Sequence, residues 1–161
     1  MSENAAEITL EEEIVKTLSD KGYTVSTAES CTGGLLAGRI INAAGASNVY
    51  NEGFITYSNK AKRKYLGVKK STLEKYGAVS RKTAKEMAKG LAKATGADVT
   101  LATTGIAGPD GGTSEKPVGL VYIACNVCGK VTVKECLFSG SRQQIRELAV
   151  TKALKMLQKR L

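Results

Sequence analysis

Residues 23–45, YTVSTAESCTGGLLAGRIINAAG, predict a β-strand that runs into a glycine turn and continues as a helix. The strand delivers Glu29 and Ser30 to the turn, where Gly33 and Gly34 let the backbone bend sharply into the helix. Active sites of α/β folds gather where strands end and helices begin. This unit therefore indicates both an α/β fold and the position of a candidate site.

The alternation of helices and strands continues on both sides of this unit. TLEE at 9–12 resembles a capping box and predicts a helix that ends at Gly22. Further strands are predicted at 48–58 and 97–104, and an antiparallel pair of strands is predicted within 118–138. Short helical pieces are predicted at 59–76 and a longer helix at 81–95. A last helix should follow the capping sequence SRQQ at 141–144. The pattern predicts a single domain over residues 1–161, a three-layer α/β/α sandwich with a mixed, mostly parallel sheet.

Composition and charge limit the possible partners. No apolar run approaches the roughly 18 residues that cross a bilayer, and the acidic stretch at 1–16 lacks a secretory signal, so we expect a cytoplasmic protein with no membrane partner. The net charge is +9, and 12 of the 24 Lys and Arg residues fall between Lys60 and Lys93, which favours an anionic partner. In the lysine-rich stretch at 80–96, SRKTAKEMAKGLAKATG, no aromatic residue is interleaved with the charges for base stacking, which argues against nucleic acid, and most of the lysines fit a solvated helix surface.

Four cysteines raise the question of a metal or redox site. Cys125 and Cys128 form a C-x-x-C, but the pair lies on predicted strands and their turn, whereas redox pairs sit at a helix N-terminus. With no histidine in the chain, zinc would need all four cysteines to converge, and only this pair has ligand spacing. We therefore expect small buried thiols, with no metal and no disulfide.

The absence of histidine also restricts how a nucleophile in TAESCTGG, residues 27–34, could be activated. A lysine in an apolar pocket loses its proton more readily and can replace histidine as the base. Lysines follow directly after the strand at 48–58, although each of them could instead be solvated. Ser30 or Thr32 could equally serve only to cap the following helix.

A second candidate segment is the glycine-rich loop at 103–119, TTGIAGPDGGTSEKPVG. Backbone N–H groups of such a loop can surround an anion, and long loops in compact domains are often functional. The loop could also be a mobile surface segment. It contains neither a P-loop nor a dinucleotide-binding glycine pattern. Glu29 and Asp110 remain candidate catalytic carboxylates beside these segments.

Five stretches together resemble the CinA C-terminal domain family: TAESCTGG at 27–34, GFITYSNKAK at 53–62, GAVS at 77–80, TTGIAGPDGG at 103–112 and KPVG at 116–119. The resemblance spans nearly the whole chain, in order and with compatible spacing. The family includes the nicotinamide-nucleotide amidohydrolases, which convert nicotinamide mononucleotide to nicotinate mononucleotide and ammonia in pyridine nucleotide salvage. The chain resembles their stand-alone form, without the additional N-terminal domain of larger CinA proteins.

The resemblance implies that Ser30 is the nucleophile and Lys62 the base, with Tyr57 near the nucleophile and able to relay the proton. The implied substrate-binding residues are Thr32, Gly33, Gly34, Asn59, Thr104, Gly105, Ala107, Gly108 and Arg142. Which glycine-rich segment binds the oxyanion and which the phosphate stays open.

The resemblance further implies a homodimer or higher homo-oligomer, with no metal and no cofactor. The alternative function is a non-catalytic nucleotide-binding module of the same family, acting in competence or stress response.

Overall fold

The computed structural model describes residues 6–161; residues 1–5, part of the stretch from which we predict no secretory signal, lie outside the described residues. Its helices are α1 (Leu10–Lys21), α2 (Leu35–Ile41), α3 (Asn59–Leu66), α4 (Lys70–Tyr76), α5 (Arg81–Thr95) and α6 (Arg142–Gln158). Its strands are β1 (Val25–Glu29), β2 (Tyr50–Ile55), β3 (Val99–Gly105), β4 (Leu120–Val127) and β5 (Lys130–Leu137). The predicted order of helices and strands is confirmed.

The five strands form one mixed sheet in the order β2-β1-β3-β4-β5. Strand β1 pairs in parallel with β2 and β3, whereas β4 is antiparallel to both β3 and β5. Two of the four strand pairings are thus parallel and two are antiparallel, so a smaller part of the sheet is parallel than predicted. The antiparallel hairpin of β4 and β5 was predicted, and in its two-residue turn Cys128 and Gly129 take positive φ angles of 50° and 88°. The antiparallel pair that was not predicted is β3–β4.

Helices cover both faces of this sheet, so the predicted three-layer α/β/α architecture is confirmed. Helices α1, α2 and α6 pack together on one face, and α5 covers the other with α3 and α4 against it. Each face has its own cluster of buried apolar side chains, and β1 and β3 contribute to both clusters. The central parallel strands are therefore buried on both sides, as is usual for parallel sheets. Among the described residues, no helix combines the length and apolarity needed to cross a membrane.

Local signals set the helix ends. The Thr9 hydroxyl accepts the Glu12 N–H and the Glu12 carboxylate accepts the Thr9 N–H, so the predicted capping box of α1 is confirmed. Ser141 and Gln144 form the same reciprocal pair at the start of α6. The helical spacing of α6 also predicts a buried Leu148, and this is wrong, because Leu148 lies on the solvent side and is 43% exposed.

The position of α3 depends on a close approach to α5. A Cβ atom added to Gly90 of α5 would lie 1.7 Å from the backbone oxygen of Leu66, the last residue of α3. Only glycine therefore allows the end of α3 to rest on α5. This contact matters for the site, since α3 carries Lys62.

The cysteines are mostly buried, as predicted. Cys31, Cys125 and Cys136 are buried free thiols, whereas Cys128 lies exposed in the β4–β5 turn, contrary to the expectation of burial. The C-x-x-C therefore joins the core to a surface turn. Within residues 6–161, no three His, Cys, Asp or Glu side chains gather in a metal-binding arrangement.

Candidate active site

A cavity of about 280 Å³ lies where β1, β2 and β3 end. Nine predicted site residues line it, namely Ser30, Tyr57, Asn59, Lys62, Thr104, Gly105, Ala107, Gly108 and Arg142. Asp110, the candidate carboxylate of the glycine-rich loop, also lines it, and the lining residues that we did not predict are Cys31, Ala78, Val79, Ile106 and Gly111. Most of them adjoin predicted residues in the same motifs, so their proximity in sequence could have indicated them.

Ser30 and Lys62 meet at the floor of this cavity. The Lys62 ammonium nitrogen lies 2.9 Å from the Ser30 hydroxyl oxygen and donates a second hydrogen bond to the Thr56 carbonyl at 2.8 Å. Lys62 is 1% exposed and Ser30 is 8% exposed. The Ser30 N–H donates to the Thr103 carbonyl on β3, which fixes the backbone of Ser30 to the sheet. A nucleophile and a base are thus within direct hydrogen-bond reach.

Burial lowers the pKa of Lys62 from 10.5 to about 8. No carboxylate among residues 6–161 lies within 4 Å of its ammonium group to offset this effect. An appreciable fraction of the side chain is therefore neutral near neutral pH, and a neutral amine can accept the proton of a hydroxyl group. Lys62 has the environment that a lysine base requires.

Cys31 is the competing nucleophile in the same turn. Burial raises the pKa of its thiol to about 11, and the residue is 5% exposed. Only the thiolate is a strong nucleophile, so Cys31 is essentially unreactive at neutral pH. The geometry therefore favours Ser30 over Cys31.

Three residues that were predicted to bind substrate lie in the turn after β1, and the structure does not place them at the cavity. Thr32, Gly33 and Gly34 do not line the cavity. Thr32 is fully buried, and its hydroxyl donates to the Glu29 carboxylate at 2.6 Å. Gly33 and Gly34 take positive φ angles of 57° and 102°, which turn the chain away from the cavity and into α2. These glycines shape the turn and do not contact the cavity.

Glu29 occupies the start of α2, where an uncapped helix would leave N–H groups free to bind an anion. Its carboxylate accepts the N–H groups of Leu36 at 2.8 Å and of Ala37 at 3.1 Å. Neither Ser30 nor Thr32 caps the helix, because Gly34 is its N-cap and makes no side-chain bond. Glu29 is thus a buried capping carboxylate that interacts favourably with the helix dipole.

The Cys31 N–H is a backbone donor of the turn beside the cavity. The Gly33 N–H donates to the Ser30 carbonyl at 3.1 Å, whereas the Cys31 N–H has no acceptor on another described residue. Cys31 also lines the cavity. The N–H of the residue after a nucleophile commonly stabilises the oxyanion in strand–turn–helix sites. This N–H is the best candidate for that part on the Ser30 side.

Tyr57 and Arg142 form a connected part of the cavity wall. The Arg142 guanidinium donates to the Gly108 carbonyl at 2.8 Å and to the Tyr57 hydroxyl at 3.0 Å. Tyr57 is 63% exposed, and it does not bridge Lys62 and Ser30, which contact each other directly. The predicted relay through Tyr57 is therefore not seen. Instead, Arg142 ties the glycine-rich loop to the segment after β2.

A second cavity, of about 520 Å³, adjoins the first one and shares Val79 with it. We call it the cationic cleft, because it is lined by four basic side chains: Arg81, Lys82, Lys85 and Lys116. None of the four lies within 4 Å of a carboxylate in the described part of the chain. A cleft of one charge sign raises the local concentration of ligands of the opposite charge. The cleft thus places positive potential beside the Ser30–Lys62 cavity.

The chain is similar to proteins of one family along almost its whole length. The CinA C-terminal domain matches residues 7–161. A CinA-like protein from Kosmotoga olearia is 58% identical over 148 residues, which are 92% of this chain and 36% of that protein. A Clostridium novyi (strain NT) protein named for competence-damage induction is 58% identical over 155 residues, or 96% of this chain and 37% of that protein. The chain thus spans little more than a third of the length of these relatives.

Solved structures share its fold. The competence/damage inducible protein CihA from Agrobacterium tumefaciens is 48% identical with a TM-score of 0.90, over 92% of this chain and 91% of that chain. A CinA superfamily protein from Escherichia coli is 36% identical with a TM-score of 0.91, over 100% and 99% of the two chains. The fold described above is therefore the fold of these proteins.

Proposed function

Since the chain belongs to the CinA C-terminal domain family, we propose that it is an amidohydrolase that converts nicotinamide mononucleotide to nicotinate mononucleotide and ammonia. The observation that carries this proposal is the buried contact of 2.9 Å between Lys62 Nζ and Ser30 Oγ. A serine with a lysine base is a known arrangement for acyl transfer. The motifs around both residues are those in which the chain resembles the nicotinamide-nucleotide amidohydrolases.

In the first half-reaction, neutral Lys62 takes the proton of the Ser30 hydroxyl while Oγ attacks the carboxamide carbon. The tetrahedral oxyanion is stabilised by the Cys31 N–H, together with backbone donors of the Gly105–Gly108 segment. When the carbon–nitrogen bond breaks, the Lys62 ammonium gives its proton to the departing nitrogen, and ammonia leaves. The product of this step is an acyl ester on Ser30.

In the second half-reaction, Lys62 is again neutral and takes a proton from water. The resulting hydroxide attacks the ester carbon, and the returning proton restores the Ser30 hydroxyl as nicotinate mononucleotide departs. The same lysine is thus base and acid in turn, as a single titrating group near neutral pH can be.

The surroundings of the pair suit a phosphorylated substrate. A cavity of about 280 Å³ lies just below the usual range for small-molecule sites, about 300–1,000 Å³, so it suits a ligand no larger than one nucleotide. Arg142 lines it, and the cationic cleft adjoins it through Val79. The nicotinamide ring lies over Ser30 in this scheme, and the phosphate lies toward Arg142 or the cationic cleft, the two sources of positive charge.

The test is ammonia release from nicotinamide mononucleotide, nicotinamide riboside, nicotinamide and NAD. Ser30→Ala and Lys62→Ala should each reduce release from the mononucleotide by at least about 10²-fold, with unchanged circular dichroism. Lys60→Ala is the matched control, because Lys60 is an exposed lysine at the start of the same helix and does not line the cavity. Cys31→Ala should retain activity.

Two results would overturn the proposal. If Cys31→Ala abolished turnover and Ser30→Ala did not, the nucleophile would be the thiol. If wild-type protein bound the mononucleotide tightly and released no ammonia, the site would be a nucleotide-binding module without catalysis.

A further inference from the structure

Arg146 of α6 binds the turn that carries Ser30. Its Nε donates to the Cys31 carbonyl at 3.0 Å, and its Nη2 donates to the Thr32 carbonyl at 3.1 Å. A guanidinium presents its donors in a fixed planar fork, so it can hold two successive carbonyls at once. Arg146 does not line the cavity, and its contacts are therefore with the turn rather than with a ligand there.

These two bonds complete the fixation of the nucleophile turn, residues 30–33. The Ser30 N–H is held by the Thr103 carbonyl, and the Ser30 carbonyl is held by the Gly33 N–H. Arg146 holds the next two carbonyls. Since a peptide unit is planar, fixing its carbonyl also fixes the direction of its N–H. The Cys31 N–H and the Ser30 carbonyl belong to the same peptide unit. The bond that holds the Ser30 carbonyl therefore also fixes the direction in which the Cys31 N–H points.

The Thr32 side chain anchors the turn to Glu29, but the glycine backbone beside it provides little stiffness of its own. Gly33 and Gly34 have the largest backbone freedom of any residue type, and α2, which follows, has only 7 residues. A Cβ atom at Gly33 would lie 3.1 Å from Arg146 Nη2, so the glycine also leaves room for the guanidinium. The glycine and the arginine fit each other.

We propose that Arg146 is a positioning residue for catalysis, which holds the nucleophile turn so that Ser30 Oγ stays at Lys62 and the Cys31 N–H stays at the oxyanion. This inference rests on the proposed function for its substrate, and it assigns a part in the reaction to a side chain that does not touch the cavity. Its loss should act on the rate of the chemical step and leave substrate binding nearly unchanged, because the transition state depends on this geometry more than the ground state does.

Arg146→Ala and Arg146→Lys test the proposal, with Arg160→Ala as the matched control. Arg160 lies just after α6 and, like Arg146, donates to two backbone carbonyls. These are the carbonyls of Cys125 and Lys130, at the β4–β5 side of the sheet. We expect Arg146→Ala to lower kcat by about 10- to 100-fold, with KM changed less than about threefold. Arg146→Lys should retain more activity, and dilute guanidinium should restore part of the kcat of Arg146→Ala. Arg160→Ala should keep its kcat.

Three outcomes would overturn the inference. The first is an unchanged kcat in well-folded Arg146→Ala, and the second is a rise of KM alone. The third is a shift of the pH–rate profile with the full rate recovered at another pH, because the arginine would then act through its charge on Lys62. If Arg146→Ala does not fold, the kcat of Arg146→Lys decides: a wild-type kcat for a side chain that lacks the planar fork of donors contradicts the positioning role.

A second readout does not need nicotinamide mononucleotide as a substrate. Phenylmethylsulfonyl fluoride reacts with an activated serine, as the oxygen–sulfur bond forms, fluoride leaves and the proton passes to the base. The rate of Ser30 sulfonylation, followed by mass spectrometry, should fall in Arg146→Ala by about the same factor as kcat. If wild-type protein is labelled at Ser30 but releases no ammonia, the proposed function fails while slower labelling of the variant still supports the positioning role. Equal labelling rates would contradict it.

Discussion

Lys62→Met should make the stability of this protein depend differently on pH. Methionine has a similar length and no charge, so the substitution removes the buried ammonium group while filling most of its volume. It also removes the hydrogen bonds to Ser30 and Thr56. The change in packing is the same at every pH, whereas the cost of burying the charged lysine, net of its hydrogen bonds, is not. The pH dependence therefore isolates the electrostatic part.

The magnitude follows from the pKa of Lys62, which burial lowers from 10.5 to about 8. Between these values the unfolded chain holds a proton that the folded chain has released, so the stability of the wild type rises with pH across this window. The full shift corresponds to about 3 kcal/mol at 1.36 kcal/mol per pH unit. From pH 7 to pH 9.5, the share gained is about 2 kcal/mol. The advantage of Lys62→Met over the wild type should shrink by that amount.

The assay is urea unfolding of both proteins at pH 7 and pH 9.5, with the difference of the free energies of unfolding taken at each pH. Lys60→Met is the control, because its side chain lies exposed on the same helix. Its difference from the wild type should be nearly independent of pH. Ammonia release should be lost in Lys62→Met and kept in Lys60→Met.

A difference between Lys62→Met and the wild type that stays constant within about 0.5 kcal/mol would refute the reasoning. It would mean that Lys62 keeps its proton to the same pH in the folded and unfolded chains. The side chain would then be a permanent cation at neutral pH and could not be the base for Ser30.

Four further predictions follow from the site. Ammonia release should rise about tenfold per pH unit below the pKa of Lys62, about 8, and level off above it; a flat profile would exclude this base. Glu29→Gln should lower the free energy of unfolding by about 1–3 kcal/mol in urea titrations, because an amide replaces a buried carboxylate that accepts three donors; no change would contradict its capping role. At pH 8, iodoacetamide should alkylate exposed Cys128 and spare Cys31, whose pKa is about 11, as mass spectrometry would show; rapid native-state labelling of Cys31 would contradict its burial. Lys82→Gln should raise KM for the mononucleotide at low salt and leave kcat unchanged, and an equal KM would exclude attraction by the cationic cleft.

Most of the secondary structure could be predicted because its signals are local. The capping boxes at Thr9 and Ser141 involve residues three positions apart, and the apolar stripe of α5 lies within its own bounds, Arg81–Thr95. The balance of parallel and antiparallel pairing was less accessible. It depends on which strands become neighbours, and the sequence pattern of a single strand does not contain that information.

The candidate site divides in the same way. Family resemblance selected Ser30 and Lys62, and the structure brings them together although 32 positions separate them. Neither the resemblance nor the sequence pattern could indicate that Glu29 binds the N–H groups at the start of α2. Strand and helix patterns do not determine the direction of that side chain. The resemblance implied that Thr32 binds substrate, and in the structure its hydroxyl binds Glu29.

The sequence by itself determined the alternation of strands and helices, the glycine turn after β1 and the absence of a histidine base, because each is a property of neighbouring residues or of composition. Only the tertiary structure decided the parts of the three adjacent residues in TAESCTGG. The Ser30 hydroxyl lines the cavity beside its base, the Cys31 thiol is buried, and the Thr32 hydroxyl binds Glu29. It also decided that Arg146, 115 positions from Cys31, holds the turn. The physical reason is burial: the pKa values of Lys62 and Cys31 and the support of the turn all depend on layers that pack over it from distant parts of the chain.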